Sequence, residues 1–342
     1  MNPSTAVSTA ALDSLFAPYA GAVPGASVIV IRDGAAVLAR SYGLADLETH
    51  VAVDARTNFR LASLTKQFTA TAALLLVKEG RLSLDDRVRD ILPELPIHSA
   101  GVTVRHLLTH TSGLWAYEDF VPDSQTAQVH DGDVPGLLAH ADRLYFEPGS
   151  TYRYSNTGYA LLALVVERRS GRPFARFLRE RIFAPLGMHS TVALEVGIST
   201  VAHRAFGYSE NGATFARTDQ SATSAVLGDG GIYSSVHDLA LWDAALDRHA
   251  LLGDAEQRAA WTPASLTGGG RSRYGFGWFI DNAGEDLGVS HHGESMGFTN
   301  FIVKYPSRRL TIIVLTNRTG GAPWDLAQRI AARFGAPAVG TP

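Results

Sequence analysis

A serine followed three residues later by a lysine is the first combination in this chain with the means for covalent chemistry. Ser63-Leu64-Thr65-Lys66 opens a stretch in which Leu64, Phe68, Ala72, Leu75 and Leu76 recur at helical spacing. A separation of three places Ser63 and Lys66 on one helix face, a turn apart. A lysine held there among apolar neighbours loses proton affinity and can act as a general base toward the hydroxyl. A serine at a helix start also feels the positive end of the helix dipole, which favours a developing oxyanion. Taken alone, the pair has an ordinary alternative: Ser63 as an N-cap and Lys66 as a solvated first-turn residue. The chain has only three lysines, Lys66, Lys78 and Lys304, against 27 arginines among its 30 basic residues. A lysine inside an apolar segment therefore needs a reason.

Tyr154-Ser155-Asn156 offers a second set, inside FEPGSTYRYSNTGYALL. Two residues apart in an extended segment, Tyr154 and Asn156 point the same way. A phenol beside an ammonium could relay protons, and an amide offers a donor and an acceptor to a substrate amide or ester. The plainer alternative is a half-buried aromatic and a helix cap. His291-His292-Gly293 ends an apolar run; the glycine permits close backbone approach by a ligand, and a histidine there could bind a substrate carboxylate or carbonyl. Solvated edge-strand histidines or a metal site are the alternatives, and His106 and His110, four apart, could also be taken for ligands. No H-E-x-x-H or carboxylate-rich set accompanies any of them, so no metal is expected.

Gly293-Glu294-Ser295-Met296-Gly297 is a literal G-x-S-x-G, the pattern of the α/β-hydrolase nucleophile elbow. That triad runs serine, acid, histidine along the chain, and no histidine follows Ser295. The elbow also needs a helix after its serine, whereas Phe298 to Val303 reads as a strand. The stretch is expected to be a turn whose glycines allow close packing, with Glu294 placed for its backbone N–H.

The elements that must position these residues are legible in outline. Ala26–Ile31 and Ala36–Ser41, around Asp33-Gly34, read as a hairpin. Phe301–Lys304 and Leu310–Leu315, around Tyr305-Pro306-Ser307-Arg308, read as another, with Leu287–His291 a strand just before it. The middle reads as helical: the run after Ser63 to a C-cap at Gly80, then Tyr159–Arg169, Pro173–Phe183 and Asp238–Leu246. Residues 116–140 read as an irregular polar loop beside the cleft. Strands at both ends with helices between predict one antiparallel sheet assembled from the two termini.

Composition sets the bounds. The chain has 342 residues, 46% hydrophobic and 18% charged, enough for a sizeable core in one large domain or two interleaved ones. A net charge of −3 gives no basic footprint for nucleic acid and no strong field for a membrane surface. The absence of cysteine excludes disulfides, thiolate catalysis and Cys-ligated metals. Asp13 interrupts the one candidate leader core, and runs such as Ala160–Val166 fall far short of a membrane span, so a cytoplasmic location is the expectation.

Together and in this order, the three sets resemble the serine β-lactamase and penicillin-binding-protein superfamily. The likeness is strongest to its class C β-lactamase-like branch, with family VIII esterases, D-aminopeptidases and DD-carboxypeptidase-like proteins. Ser63-Leu64-Thr65-Lys66 matches S-x-x-K and Tyr154-Ser155-Asn156 matches Y-x-N. His291-His292-Gly293 falls where that family has K-T-G or H-x-G. Val104–Leu114, Phe146–Ser155, Gly230–Leu239 and Tyr274–Trp278 match longer family segments, and the likeness covers nearly the whole chain.

The resemblance implies an α+β, β-lactamase/DD-peptidase-like fold: a sheet domain from residues 1–80 and 220–342, with a mostly helical domain, 81–219, inserted. It implies Ser63 as acylating nucleophile, Lys66 and Tyr154 sharing acid and base work, and Asn156 contacting substrate. His291 would face the substrate from the strand edge. The N–H groups of Ser63 and Glu294 would form the oxyanion hole beside Gly293. The implied activity is hydrolysis of a small or short-peptide ester or amide, by a carboxylesterase, a D-amino-acid peptidase or a weak β-lactamase, with no cofactor. A penicillin-binding-type sensor that acylates without turnover is the alternative. Histidine in place of the K-T-G lysine puts the fixed positive charge for a substrate carboxylate in question.

Overall fold

The computed structural model describes residues 9–283 and 286–340. Strand β1 (Ala26–Arg32) turns into β2 (Ala35–Tyr42) through Asp33 and Gly34, whose φ values of 54° and 78° are the two positive angles a type I′ hairpin needs. Three short strands, β3 (Phe59–Arg60), β4 (Val192–Ala193) and β5 (Ile232–Ser234), form a small sheet of their own in the order β3-β5-β4. The C-terminal part supplies β6 (Phe279–Ala283), β7 (Asp286–Ser295), β8 (Phe298–Tyr305) and β9 (Leu310–Thr316). The main sheet runs β6-β7-β8-β9-β1-β2 with each neighbouring pair antiparallel. It is the sheet from both chain ends that the sequence predicts, extended by β6.

Strand alternation divides the core. Val28, Val30, Phe301, Val303, Ile312 and Val314 face one way, covered by Leu12 of α1 (Thr9–Leu15) and by Leu326 and Ile330 of the C-terminal helix. Ile29, Ile31, Ile302 and Ile313 face the other way and join the larger core. That core includes α2 (Lys66–Lys78), α3 (Asn156–Ser170) and α4 (Val236–Asp247). Lys304, the lysine in the apolar β8, is 1% exposed and binds Asp243 at 2.8 Å and Asp247 at 2.7 Å, one turn apart on α4. A buried charge so paired ties α4 to the sheet.

Two expectations change in detail. The helix predicted over Pro173–Phe183 starts at Phe174 and passes into a π-helical turn at Arg179–Phe183. Residues 116–140 are irregular overall but carry short turns at Tyr117–Phe120 and Asp131–Asp133 and a helical turn at Val134–Leu138. Among the described residues, no helix is long and apolar enough to cross a membrane.

Candidate active site

Ser63 sits in a 3-10 turn, Ala62–Thr65, that runs directly into α2. The small sheet fixes its approach: Arg60 pairs with Tyr233, and the Leu61 N–H donates to the Ile232 carbonyl at 2.8 Å. Ala62 holds φ at 50°, a left-handed angle that is strained for any residue with a Cβ. Gly293 of β7 packs against this turn from the other side. A Cβ there would collide with the Leu61 carbonyl oxygen and touch Leu64 Cδ1 at 3.0 Å. The close approach that Gly293 permits is thus to the Ser63 turn.

Lys66 is the hub. Its ammonium donates to Ser63 Oγ, to Asn156 Oδ1 and to the Asp229 carbonyl, each at 2.9 Å, and its side chain is fully buried. Burial lowers its pKa, and the Asp229 and Glu118 carboxylates oppose that fall. Asn156 donates in turn to Glu118 Oε1 at 2.7 Å, so its amide bridges cation and carboxylate. Asp229 lies on the helical turn Leu227–Gly230, whose first two N–H groups donate to Asp131 at 2.8 and 2.9 Å. Tyr117 donates to Asp229 Oδ2 at 3.0 Å, and burial raises the Asp229 pKa against the pull of Lys66.

Tyr154 packs beside Lys66. Its ring lies 5.0 Å from the Lys66 ammonium. Its hydroxyl is buried without a hydrogen-bond partner of ordinary geometry. Burial holds its pKa well above the usual tyrosine value, and Ser63 is the main influence pulling the other way. His110 supports it: Nδ1 accepts the Ser155 N–H at 3.0 Å, and the imidazole lies against the Tyr154 ring at 4.3 Å. His106 closes a helix cap through the Thr103 N–H at 3.2 Å. Both histidines pointed out by the four-residue spacing thus have structural partners.

His291 is the correction. It is fully buried, with Nε2 bonded to the Tyr274 hydroxyl at 2.8 Å and Nδ1 to the neighbouring His292 carbonyl. Burial, then the nearby His292, holds its pKa well below the usual histidine value, so it is neutral and does not face the cavity. Strand alternation aims the side chain into the aromatic cluster, which no local motif reveals.

The cavity beside Ser63 has a volume of about 150 Å³ and mostly polar walls. Ser63, Asn156 and Glu294 line it. Arg60, Tyr117, Glu118 and Asp229 also line it and were missed by the sequence reading. Glu118 lay in the stretch read as a loop, and Asp229 directly precedes the Gly230–Leu239 segment. Ser295 also lines the cavity; its strand turns through Met296 and Gly297 (φ 76°) into β8, so no elbow forms.

Comparison with known proteins places these features in context. A sequence model described as Beta-lactamase matches residues 12–336. Penicillin-binding protein 4* of Bacillus subtilis (strain 168) is 33% identical over 331 residues, 91% of this chain and 72% of that protein. A D-aminopeptidase of Gluconobacter oxydans (strain 621H) is 30% identical over 343 residues, 96% of this chain but 62% of that protein. The chain therefore spans less than two thirds of that relative. Among solved structures, an octameric penicillin-binding protein homologue from Pyrococcus abyssi superposes with a TM-score of 0.83 at 27% identity, covering 97% of this chain and 78% of that one. D-amino acid amidase from Ochrobactrum anthropi SV3 gives 0.78 at 26%, covering 95% and 96%.

Proposed function

From the chain's membership of the β-lactamase family, within the serine β-lactamase and penicillin-binding-protein superfamily, we propose that it is a hydrolase working through an acyl-enzyme on Ser63. The observation that carries this is the 2.9 Å contact between Ser63 Oγ and a fully buried Lys66. In its neutral form Lys66 accepts the serine proton as the hydroxyl attacks a carbonyl. The N–H groups of Ser63 and Glu294 take the oxyanion. Tyr154, kept protonated by burial, gives its proton to the leaving group and recovers one from Lys66. Burial thus separates the two roles: lysine as base, phenol as donor. Water then attacks the ester on Ser63 by the reverse path.

The substrate is a small ester or amide, and an aminoacyl amide fits best. Glu118, Asp229 and Glu294 give the cavity an acidic side suited to a substrate ammonium, and two relatives carry the names D-aminopeptidase and D-amino acid amidase. With His291 neutral and turned away, no fixed cation stands at the third motif for a β-lactam carboxylate, so β-lactamase activity is weak. The test is treatment with a fluorophosphonate, intact mass and peptide mapping. One adduct on Ser63 supports the reading, and an adduct on Ser295 overturns it. A labelled Ser63 with no turnover of D-aminoacyl amides or short esters would instead favour the sensor.

A further inference from the structure

The cavity has a second, basic pole that the proposed chemistry does not use. Arg60 is 3% exposed and is the cavity's only basic lining residue among the described residues. One of its nitrogens donates to the Ser224 carbonyl at 2.9 Å. Nε and the other terminal nitrogen are buried with no hydrogen-bond partner, and no carboxylate of the described residues lies within ion-pair distance. A guanidinium taken out of water with most of its donors idle is costly unless an anion meets it. Ser295 Oγ, on the same cavity wall, is also buried and unpartnered. Asp229 feels the Arg60 charge but takes the Tyr117 hydroxyl, Glu118 takes the Asn156 amide and Glu294 is exposed, so none of the three hydrogen-bonds to the idle guanidinium nitrogens.

The direction of the cavity assigns this pole to one half of the substrate. Tyr154, the proton donor to the leaving group, does not line the cavity, whereas Ser63 and Asn156 do. The leaving group therefore departs on the Tyr154 side, and the cavity receives the acyl group. We propose that Arg60, with Ser295, selects an acyl group bearing a carboxylate, such as an aspartyl or glutamyl side chain. Arginine suits this role because its planar fork meets a carboxylate with two parallel hydrogen bonds. The proposal rests on Ser63 as nucleophile.

The test uses the p-nitroanilides of D-aspartate and D-asparagine, near-isosteres that differ in charge. The intact protein should favour the aspartyl substrate by at least about tenfold in kcat/KM, since a site built to bind a polar group discriminates strongly against its absence. Arg60→Gln should erase that preference by lowering the aspartyl rate by a larger factor than the asparaginyl rate, and Arg60→Lys should keep part of it. Should neither anilide be cleaved, the same comparison is read from protection of Ser63 against the fluorophosphonate by free D-aspartate and D-asparagine. Equal or better performance of the asparaginyl member in the unmodified protein overturns the proposal, whether or not the Arg60 variants fold. Equal loss for both substrates in a folded Arg60→Gln also overturns it, leaving Arg60 a structural group. Failure of the underlying reading looks different: Ser63 is then not labelled at all.

Discussion

Replacing Asp229 by Asn should move the acid limb of catalysis to lower pH and raise activity at neutrality. The expectation runs against the intuition that a carboxylate beside a base assists it. Burial brings the Lys66 ammonium from its ordinary 10.5 down to about 8, and Asp229 is the largest influence resisting that fall. At pH 7 the neutral amine is then present in roughly a tenth of molecules, against about one in three thousand for an ordinary lysine. That is a gain of roughly 300-fold in available base. Removing the Asp229 charge withdraws a force that holds the proton on Lys66. A fall of roughly one further pH unit would leave about half the molecules neutral at pH 7, a gain of about fivefold. Asn keeps an oxygen for the Tyr117 hydroxyl, and the Lys66 contact is to the backbone carbonyl of residue 229, so the geometry is conserved. The assay is kcat/KM against pH from 5 to 10, with fluorophosphonate labelling to count active sites. A limb that moves to higher pH, or stays put in a folded and labelled variant, refutes Lys66 as the base.

Three further outcomes are expected. Ser63→Ala should abolish turnover and labelling without lowering Tm, because the removed hydroxyl leaves a methyl beside Leu64; residual turnover would send the search for a nucleophile elsewhere. Tyr154→Phe should slow amide hydrolysis by about 10²–10³-fold, and p-nitrophenyl esters much less, because nitrophenolate departs without a proton; equal losses for both would remove Tyr154 as donor. Gly293→Ala should destabilise the protein by about 1–3 kcal/mol and impair acylation, since its methyl must displace the Leu61 carbonyl and with it the Ser63 turn; thermal denaturation and labelling rate check both, and an unchanged Tm would contradict the packing described.

The sequence carried the sheet and the helices well because their signals are local: short β-branched apolar runs in β1 and β9, period 3.6 after Lys66, Asp33-Gly34 between strands. It also carried the Ser63–Lys66 contact, because a spacing of three on a helical turn leaves the two side chains little choice. Glu118, Arg60 and Asp229 were invisible for the opposite reason. Each reaches the cavity through pairings between distant segments, such as Arg60 with Tyr233 or the Asp131 carboxylate with the Leu227 turn. His291 misled because a strand motif fixes where a residue lies but not which face of the sheet is packed.

The scarcity of lysine has a practical consequence. Lys66 and Lys304 are sealed in the interior, and Lys78 alone of the three side chains is exposed, at the far end of the helix that begins with Lys66. Twelve helical steps separate those two, about 18 Å at 1.5 Å per residue. An amine-reactive dye or surface therefore has one exposed lysine to find, at a known remove from Lys66. At a pH where lysine reacts, Lys78 is thus the one side-chain amine open to a label, and it is not among the residues that line the cavity.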